Sequence, residues 1–251
     1  MKINEPELKE RILKVIKDFP AYGYRRVTRE LVRRGQHVNH KRVHSIMWEN
    51  NWLCRKKRFK ITTTDSNHKH RVYPNLIKGL VITKPNLVWA SDITYIRLAQ
   101  GFAYLAVVLD IGTRRCIGWA LGRSIDTQLT LDALHMAFRI RRVKKVRNLI
   151  HHSDQGVQYA SNEYVDCLVS HGIQISMSRR GNPYDNAFCE SFMKTLKTEE
   201  VYMNEYRTFV DALENIKEFI EEMYNKKRMH SALGYKSPEE FEKEVSLNNQ
   251  T

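Results

Sequence analysis

Three carboxylates, Asp92, Asp154 and Glu190, occupy positions from which they could do chemistry. Asp92 falls inside residues 87–98, an apolar-rich run that reads as a strand. Aspartate is depleted in strands, and a buried charge is costly unless it is paired or bound to metal. Asp154 comes straight after Leu149-Ile150-His151-His152, at the strand end where α/β-type folds place ligands. Glu190 lies in a helical segment opened by Gly181-Asn182-Pro183, with Asp185 as its candidate cap. Hard oxygen ligands of this kind suit Mg²⁺. Two such ions roughly 3.5–4 Å apart activate an attacking oxygen and stabilise a leaving oxygen on opposite sides of one phosphorus. That is the demand of phosphodiester cleavage and strand transfer. One carboxylate would bridge the two ions, and its mid-strand place selects Asp92 for that role.

By count alone, three acids among 28 carry no weight. Glu190 also reads as a solvated helix residue, and Asp154 as a turn residue or cap. Their significance rests on the elements that position them. From residue 87 the pattern is strand-like over 87–98, 102–111 and 115–121, with short turns at Gly101 and Gly112. Connections this short predict an antiparallel meander. Helical spacing follows over 127–142, then a brief strand at 148–152, a helix at 162–171, a strand at 173–176, and helices near 185–200 and 208–227. Three antiparallel strands followed by alternating helices and strands is the order of a ribonuclease H-like fold: a mixed five-stranded sheet with flanking helices, class α/β. The stripe Phe209, Leu213, Ile216, Phe219, Ile220 and Met223 reads as helix packing.

The first fifty residues predict an all-α unit. Leu8, Ile12, Val15, Ile16 and Phe19 have helical spacing that ends at Pro20. A second helix over 24–34 turns Val27 and Leu31 inward and Arg25, Arg26, Arg29, Arg33 and Arg34 mostly outward. After Gly35, Asn39 is the N-cap of a third helix with Val43, Ile46 and Met47 as its apolar face. This is the pattern of a helix-turn-helix, whose third helix would offer His40, Lys41, Arg42 and His44 to base edges. The organisation expected is a DNA-binding domain at 1–53, a basic linker at 54–86 carrying Arg55-Lys56-Lys57-Arg58, and a catalytic core at 87–251. The linker reads equally as a strap along a DNA backbone or as a solvated hinge.

Charge supports this division. Residues 1–80 hold 20 Lys+Arg against 7 Asp+Glu, and residues 81–251 hold 22 against 21. Positive charge concentrated in one third of a chain is the electrostatic footprint of a phosphate-binding surface. No apolar run approaches the ~18 residues a membrane span needs, and the opening residues lack a signal peptide's apolar stretch. A cytoplasmic protein of a bacterial cell, nucleoid-associated when bound, with no membrane partner, is expected. The four cysteines form no C-x-x-C pair, which excludes a zinc module beside His37, His40 and His44.

Trp89-Ala90-Ser91-Asp92-Ile93-Thr94-Tyr95 and His151-His152-Ser153-Asp154-Gln155-Gly156-Val157-Gln158-Tyr159 resemble the first two acidic motifs of integrase-core transposases. Asn186-Ala187-Phe188-Cys189-Glu190-Ser191-Phe192-Met193-Lys194-Thr195-Leu196-Lys197 resembles the third. Thirty-five residues separate Asp154 from Glu190, a spacing shared with retroviral integrases. Tyr224-Asn225 with Arg228, His230, Leu233-Gly234 and Ser237-Pro238 resembles the family's C-terminal signature, and Tyr22-Gly23-Tyr24-Arg25-Arg26-Val27 the start of its helix-turn-helix segment. The similarity spans nearly the whole chain and is nearest to the orfB product of insertion sequences with overlapping orfA and orfB frames.

The resemblance implies a DDE-type enzyme dependent on Mg²⁺, with Mn²⁺ as substitute, that cuts DNA at the element's ends and transfers the freed 3′-hydroxyl. Its partners would be double-stranded DNA (terminal repeats and target), further copies of itself, and an orfA product as fusion or companion. Asp92, Asp154 and Glu190 would be both catalytic and metal-binding. Lys194 and Lys197, four and seven residues beyond Glu190, share its helix face and read as phosphate contacts or as ion-pair partners of Glu190. Arg179 and Arg180 read as DNA contacts or as plain surface residues. Of His151 and His152, one should face the core. Two other classes fit less well: a transposon-derived DNA-binding protein that no longer catalyses, and a nuclease of RNA–DNA hybrids, which lacks a fourth carboxylate here.

Overall fold

Asn4 starts the first helix, its side chain accepting the Glu7 amide at 2.9 Å. Pro6 sits in that first turn, where no amide proton is needed, and Glu5 and Glu7 complement the helix dipole. This computed structural model describes residues 4–53, 71–82, 84–143, 148–179 and 182–248. The chain forms two units, Met1–Phe59 and Lys60–Thr251.

In the first unit, α1 (Glu5–Asp18), α2 (Tyr24–Arg33) and α3 (His40–Glu49) pack about one core. Leu8, Ile12, Val15, Val27, Leu31, Val43, Ile46 and Met47 are buried there, as the helical spacing predicts. Each such residue stabilises the unit by roughly 1.5–3 kcal/mol relative to exposure. Gly35 takes φ +82° between α2 and α3, a conformation that glycine adopts without strain. Asn39 caps α3, accepting the Lys41 amide at 2.8 Å.

The second unit is built on a five-stranded sheet in the order β3-β2-β1-β4-β5. β1 (Val88–Arg97), β2 (Phe102–Asp110) and β3 (Cys116–Gly122) form the antiparallel meander, and β4 (Ile150–Ser153) and β5 (Gln174–Met177) add in parallel. Parallel pairing requires crossovers. α4 (Thr127–Arg141) leads into β4, and α5 (Val157–Ala160) with α6 (Asn162–Ser170) joins β4 to β5. The fold is ribonuclease H-like, as expected from the order of its elements.

Strand alternation sends side chains to two cores. Val88, Ala90 and Ile96 pack with Phe192 and Leu196 of α7 (Ala187–Leu196) and with Ile216 of α8 (Phe209–Glu218). Trp89 and Ile117 pack with Leu134 and Phe138 of α4 and with Tyr164 and Leu168 of α6. A Cβ at Gly118 would lie 2.1 Å from the Ala133 carbonyl, so glycine is required where α4 crosses β3. Both α7 and α8 continue in wider π-type turns, over Lys197–Val201 and Phe219–Lys227. Ile216, Phe219 and Ile220 are buried, in keeping with a packing stripe.

The C-terminal helix α9 (Pro238–Asn248) was not expected from spacing. A partly buried ionic network fastens it. Arg115 reaches Glu239 at 2.9 Å and Glu242 at 2.5 Å, while Arg141 pairs with Glu242 and, at 3.0 Å, with Asp110. Burial pushes the Asp110 carboxyl up to about 6, opposed by Arg141.

Candidate active site

β1 and β4 run side by side, with Val88 opposite Ile150 and Ala90 opposite His152. Two residues beyond that last pair, each strand reaches an aspartate: Asp92 on β1, Asp154 just past β4. Neighbouring residues in register share a sheet face, so the two carboxyl groups rise together on the side covered by α7. The Asp92 carboxylate accepts the Ile93 amide at 2.9 Å, and that of Asp154 accepts the Gly156 amide at 2.9 Å. Although part of Asp92 remains accessible, burial pushes its carboxyl up to about 8, reinforced by the charges of Asp154 and Glu190. Two carboxylates this close favour either a shared proton or a cation.

Glu190 comes from the first turn of α7 and is the most exposed of the three, with burial raising its pKa. Among the described residues, no three His, Cys, Asp or Glu side chains close into a metal cage. The donor chemistry nevertheless fits a hard divalent cation. A cation would relieve the unfavourable Asp92–Asp154 charge pair, and two buried polar atoms, the Asn186 Oδ1 and the Tyr159 hydroxyl, have no hydrogen-bond partner among the described residues. Tyr159 feels the charges of both aspartates.

The surrounding residues are held tightly. His151 and His152 are both buried, on opposite faces, where one had been expected to face the core. The His151 Nε2 bonds the Ser91 Oγ (2.8 Å) and the Tyr164 hydroxyl (2.9 Å); His152 lies between the Ser176 Oγ (2.8 Å) and the Ser178 Oγ (3.0 Å). Burial pulls the two rings down to about 3 and about 4, so both are neutral. His151 thus ties β4 to β1 and α6, and His152 ties it to β5, just before Asp154.

One reading needs correction. Asp185 does not cap α7: it accepts the Arg179 amide and guanidinium at 2.9–3.1 Å, and Asn186 occupies the cap position without a side-chain cap bond. That pairing engages Arg179 within the protein, while Arg180 lies outside the described residues. Lys194 and Lys197 differ in exposure. Lys194 is exposed, whereas the half-buried Lys197 ammonium stands 4.2 Å over the Tyr95 ring and feels the charge of Asp92.

The C-terminal signature residues act as fasteners. Arg228 is buried, with two bonds of 2.7 Å to Glu199 and one of 3.2 Å to His230. Asn225 bonds both the amide and the carbonyl of Cys116, extending the edge of β3. In the N-terminal unit, Lys41, Arg42 and His44 are exposed on α3, Arg25 is exposed over Tyr24, and Arg26 is half-buried over Tyr22. Trp48, 67% exposed, continues the stripe of Lys41 and His44. Arg55, Lys56, Lys57 and Arg58 lie outside the described residues.

Comparison with known proteins decides the family. Two integrase core domain models match residues 82–183 and 171–238, and an HTH-like domain model matches residues 3–60. The chain is 40% identical to the transposase for insertion sequence element IS904 of Lactococcus lactis subsp. lactis, over 88% of this chain and 87% of that one. The chain belongs to the integrase-core insertion-sequence transposases. This transposase is also 37% identical to transposase InsF of insertion sequence IS3A from Escherichia coli, over 88% of this chain and 76% of that protein. A chain of the simian T-cell lymphotropic virus intasome, solved in complex with PP2A regulatory subunit B56 gamma, shares the fold at 15% identity. The TM-score is 0.53, covering 92% of the transposase and 74% of that chain. The family consists of polynucleotidyl transferases. Among the described residues of the transposase, no helix is long and apolar enough to cross a membrane.

Proposed function

We propose that this transposase cleaves DNA at the ends of its insertion sequence and transfers the freed 3′-hydroxyl to a new phosphodiester, with Asp92, Asp154 and Glu190 as the catalytic, metal-holding carboxylates. The observation that supports the reading is the parallel register of β1 and β4 up to Ala90–His152, two residues short of Asp92 and Asp154, with the charge of Asp154 and of Glu190 felt at Asp92. The three would hold two Mg²⁺ ions, or Mn²⁺, which when bound supply an activated attacking oxygen and a stabilised leaving oxygen. Asp92, flanked by both other carboxylates in charge terms, is the choice for the shared ligand. Lys197, held over Tyr95, presents its ammonium to a phosphate beside the carboxylates, and Lys194 offers a second on the exposed side of α7. The neutral His151 and His152 hold the strand end in place and carry no proton in the reaction.

Residues 1–53, with Arg25, Arg26, Lys41, Arg42 and His44, would grip the terminal repeats, and the basic segment 54–86 would follow the DNA backbone towards the core at 87–251. Pairing two DNA ends and a target calls for more than one copy, and an orfA product is a candidate companion. The test is a plasmid nicking and strand-transfer assay on element-end duplex with Mg²⁺. Asp92→Asn, Asp154→Asn and Glu190→Gln should each abolish turnover while leaving end binding intact. A parent protein that binds ends yet never cuts, with or without orfA product, would favour the alternative of a DNA-binding protein that no longer catalyses.

A further inference from the structure

Asn186 stands at the mouth of α7, one turn before Glu190, and is only 8% exposed. Its Nδ2 donates to the Ser91 carbonyl at 3.3 Å, so the first turn of the Glu190 helix hangs on the backbone directly before Asp92. A carbonyl only accepts, which fixes the orientation of the amide: nitrogen towards Ser91, oxygen away from it. That oxygen, Oδ1, is buried and has no hydrogen-bond partner among the described residues. A buried amide oxygen with nothing to accept from is costly, and such groups are normally satisfied by protein, water or an ion. Asn186 is not needed as a helix cap, since it makes no side-chain cap bond.

Resting on the carboxylate reading above, we infer that Asn186 is a positioning residue of the metal site: its Nδ2 sets Glu190 against Asp92, and its Oδ1 accepts a hydrogen bond from water on the cation those acids hold. Groups that order a metal's outer shell commonly govern its affinity as strongly as the ligands themselves. The placement accounts for both halves of the amide at once. The donor half is used inside the protein, and the acceptor half is left for water on the ion.

The test measures Mn²⁺ binding to the full chain by calorimetry, with urea stability of the metal-free protein recorded alongside. Asn186→Ala removes both halves of the amide and should weaken Mn²⁺ binding by roughly tenfold or more. Asn186→Asp keeps an oxygen of the same reach but loses the donor to Ser91 and adds a negative charge. It should lose less Mn²⁺ affinity than Asn186→Ala, even where the metal-free protein is less stable. Two results overturn the inference: Asn186→Ala binding Mn²⁺ like the parent, or Asn186→Asp losing as much affinity as Asn186→Ala, which would reduce the residue to a tether. Asp92→Asn separates this from the underlying reading. If Asp92→Asn binds Mn²⁺ like the parent, or the parent binds none, the carboxylate site itself fails. If Asp92→Asn loses binding while Asn186→Ala does not, only the role of Asn186 fails.

Discussion

Asp92 on β1 and Asp154 just past the end of the parallel β4 each follow the Ala90–His152 pair by two residues, and the charge of Asp154 is felt at Asp92. This relationship joins two acids 62 positions apart in the chain and sets the chemistry available to the site.

Loss of either aspartate should therefore remove strand transfer altogether rather than tune it. Asp92→Asn and Asp154→Asn are expected to lower single-turnover cleavage by on the order of 10³-fold or more, because groups acting as a unit are not additive. The double variant should be no slower than either single one. A double variant slower by the product of the two single effects would show that the acids act independently.

The buried His151 makes stability sensitive to acid. Its pKa falls from the ordinary value near 6.5 to about 3 in the folded chain, so the folded state resists a proton that the unfolded state accepts. The stabilisation is complete above about pH 6.5 and is lost as pH falls towards 3, with a limiting slope of about 1.4 kcal/mol per pH unit. Urea denaturation at pH 7.5, 5.5 and 4.5 should show a flatter acid limb for His151→Gln than for the parent. This holds even if the variant is less stable throughout.

Arg228 and Glu199 form a largely buried pair, with side chains 6% and 12% exposed. Removing one partner strands the other charge, so Arg228→Ala should cost about 3–5 kcal/mol in urea denaturation. Replacing both with methionine should cost much less than the sum of the single substitutions. Strict additivity would deny the pair its role in fastening the C-terminal segment.

If α3 meets DNA, Lys41→Ala and Arg42→Ala should each weaken binding of element-end duplex and lower the salt slope of log K by about 1. Trp48, on the stripe of Lys41 and His44, should show altered fluorescence when duplex is added, by comparison with Trp48→Phe. An unchanged slope in both lysine and arginine variants would place the DNA elsewhere.

Much of the fold was legible because its signals are local. Asn39 caps the predicted helix, the turns at Gly101 and Gly112 join antiparallel strands, and the helix expected at 127–142 runs Thr127–Arg141. Asp185 misled because aspartate is a good cap in general; Arg179, six residues earlier, offered it charge-assisted bonds instead. Lys194 and Lys197 shared a face on helical spacing, and a change to wider turns at Lys197, together with the Tyr95 ring, separates their surroundings. Helix α9 was missed because ion pairs to Arg115 and Arg141, more than 90 residues away, anchor it.

The amino-acid sequence by itself determined the types of the three acids, their spacing and the elements that bear them, since caps, turns and side-chain periodicity act over a few residues. Only the tertiary structure decided that Asp92 and Asp154 share one face, that both histidines are buried and neutral, and that Asn186 hangs the Glu190 helix on Ser91. Those outcomes depend on parallel pairing across long crossovers. There the partner of each residue is chosen by packing and by the need to satisfy buried polar groups, not by its neighbours along the chain.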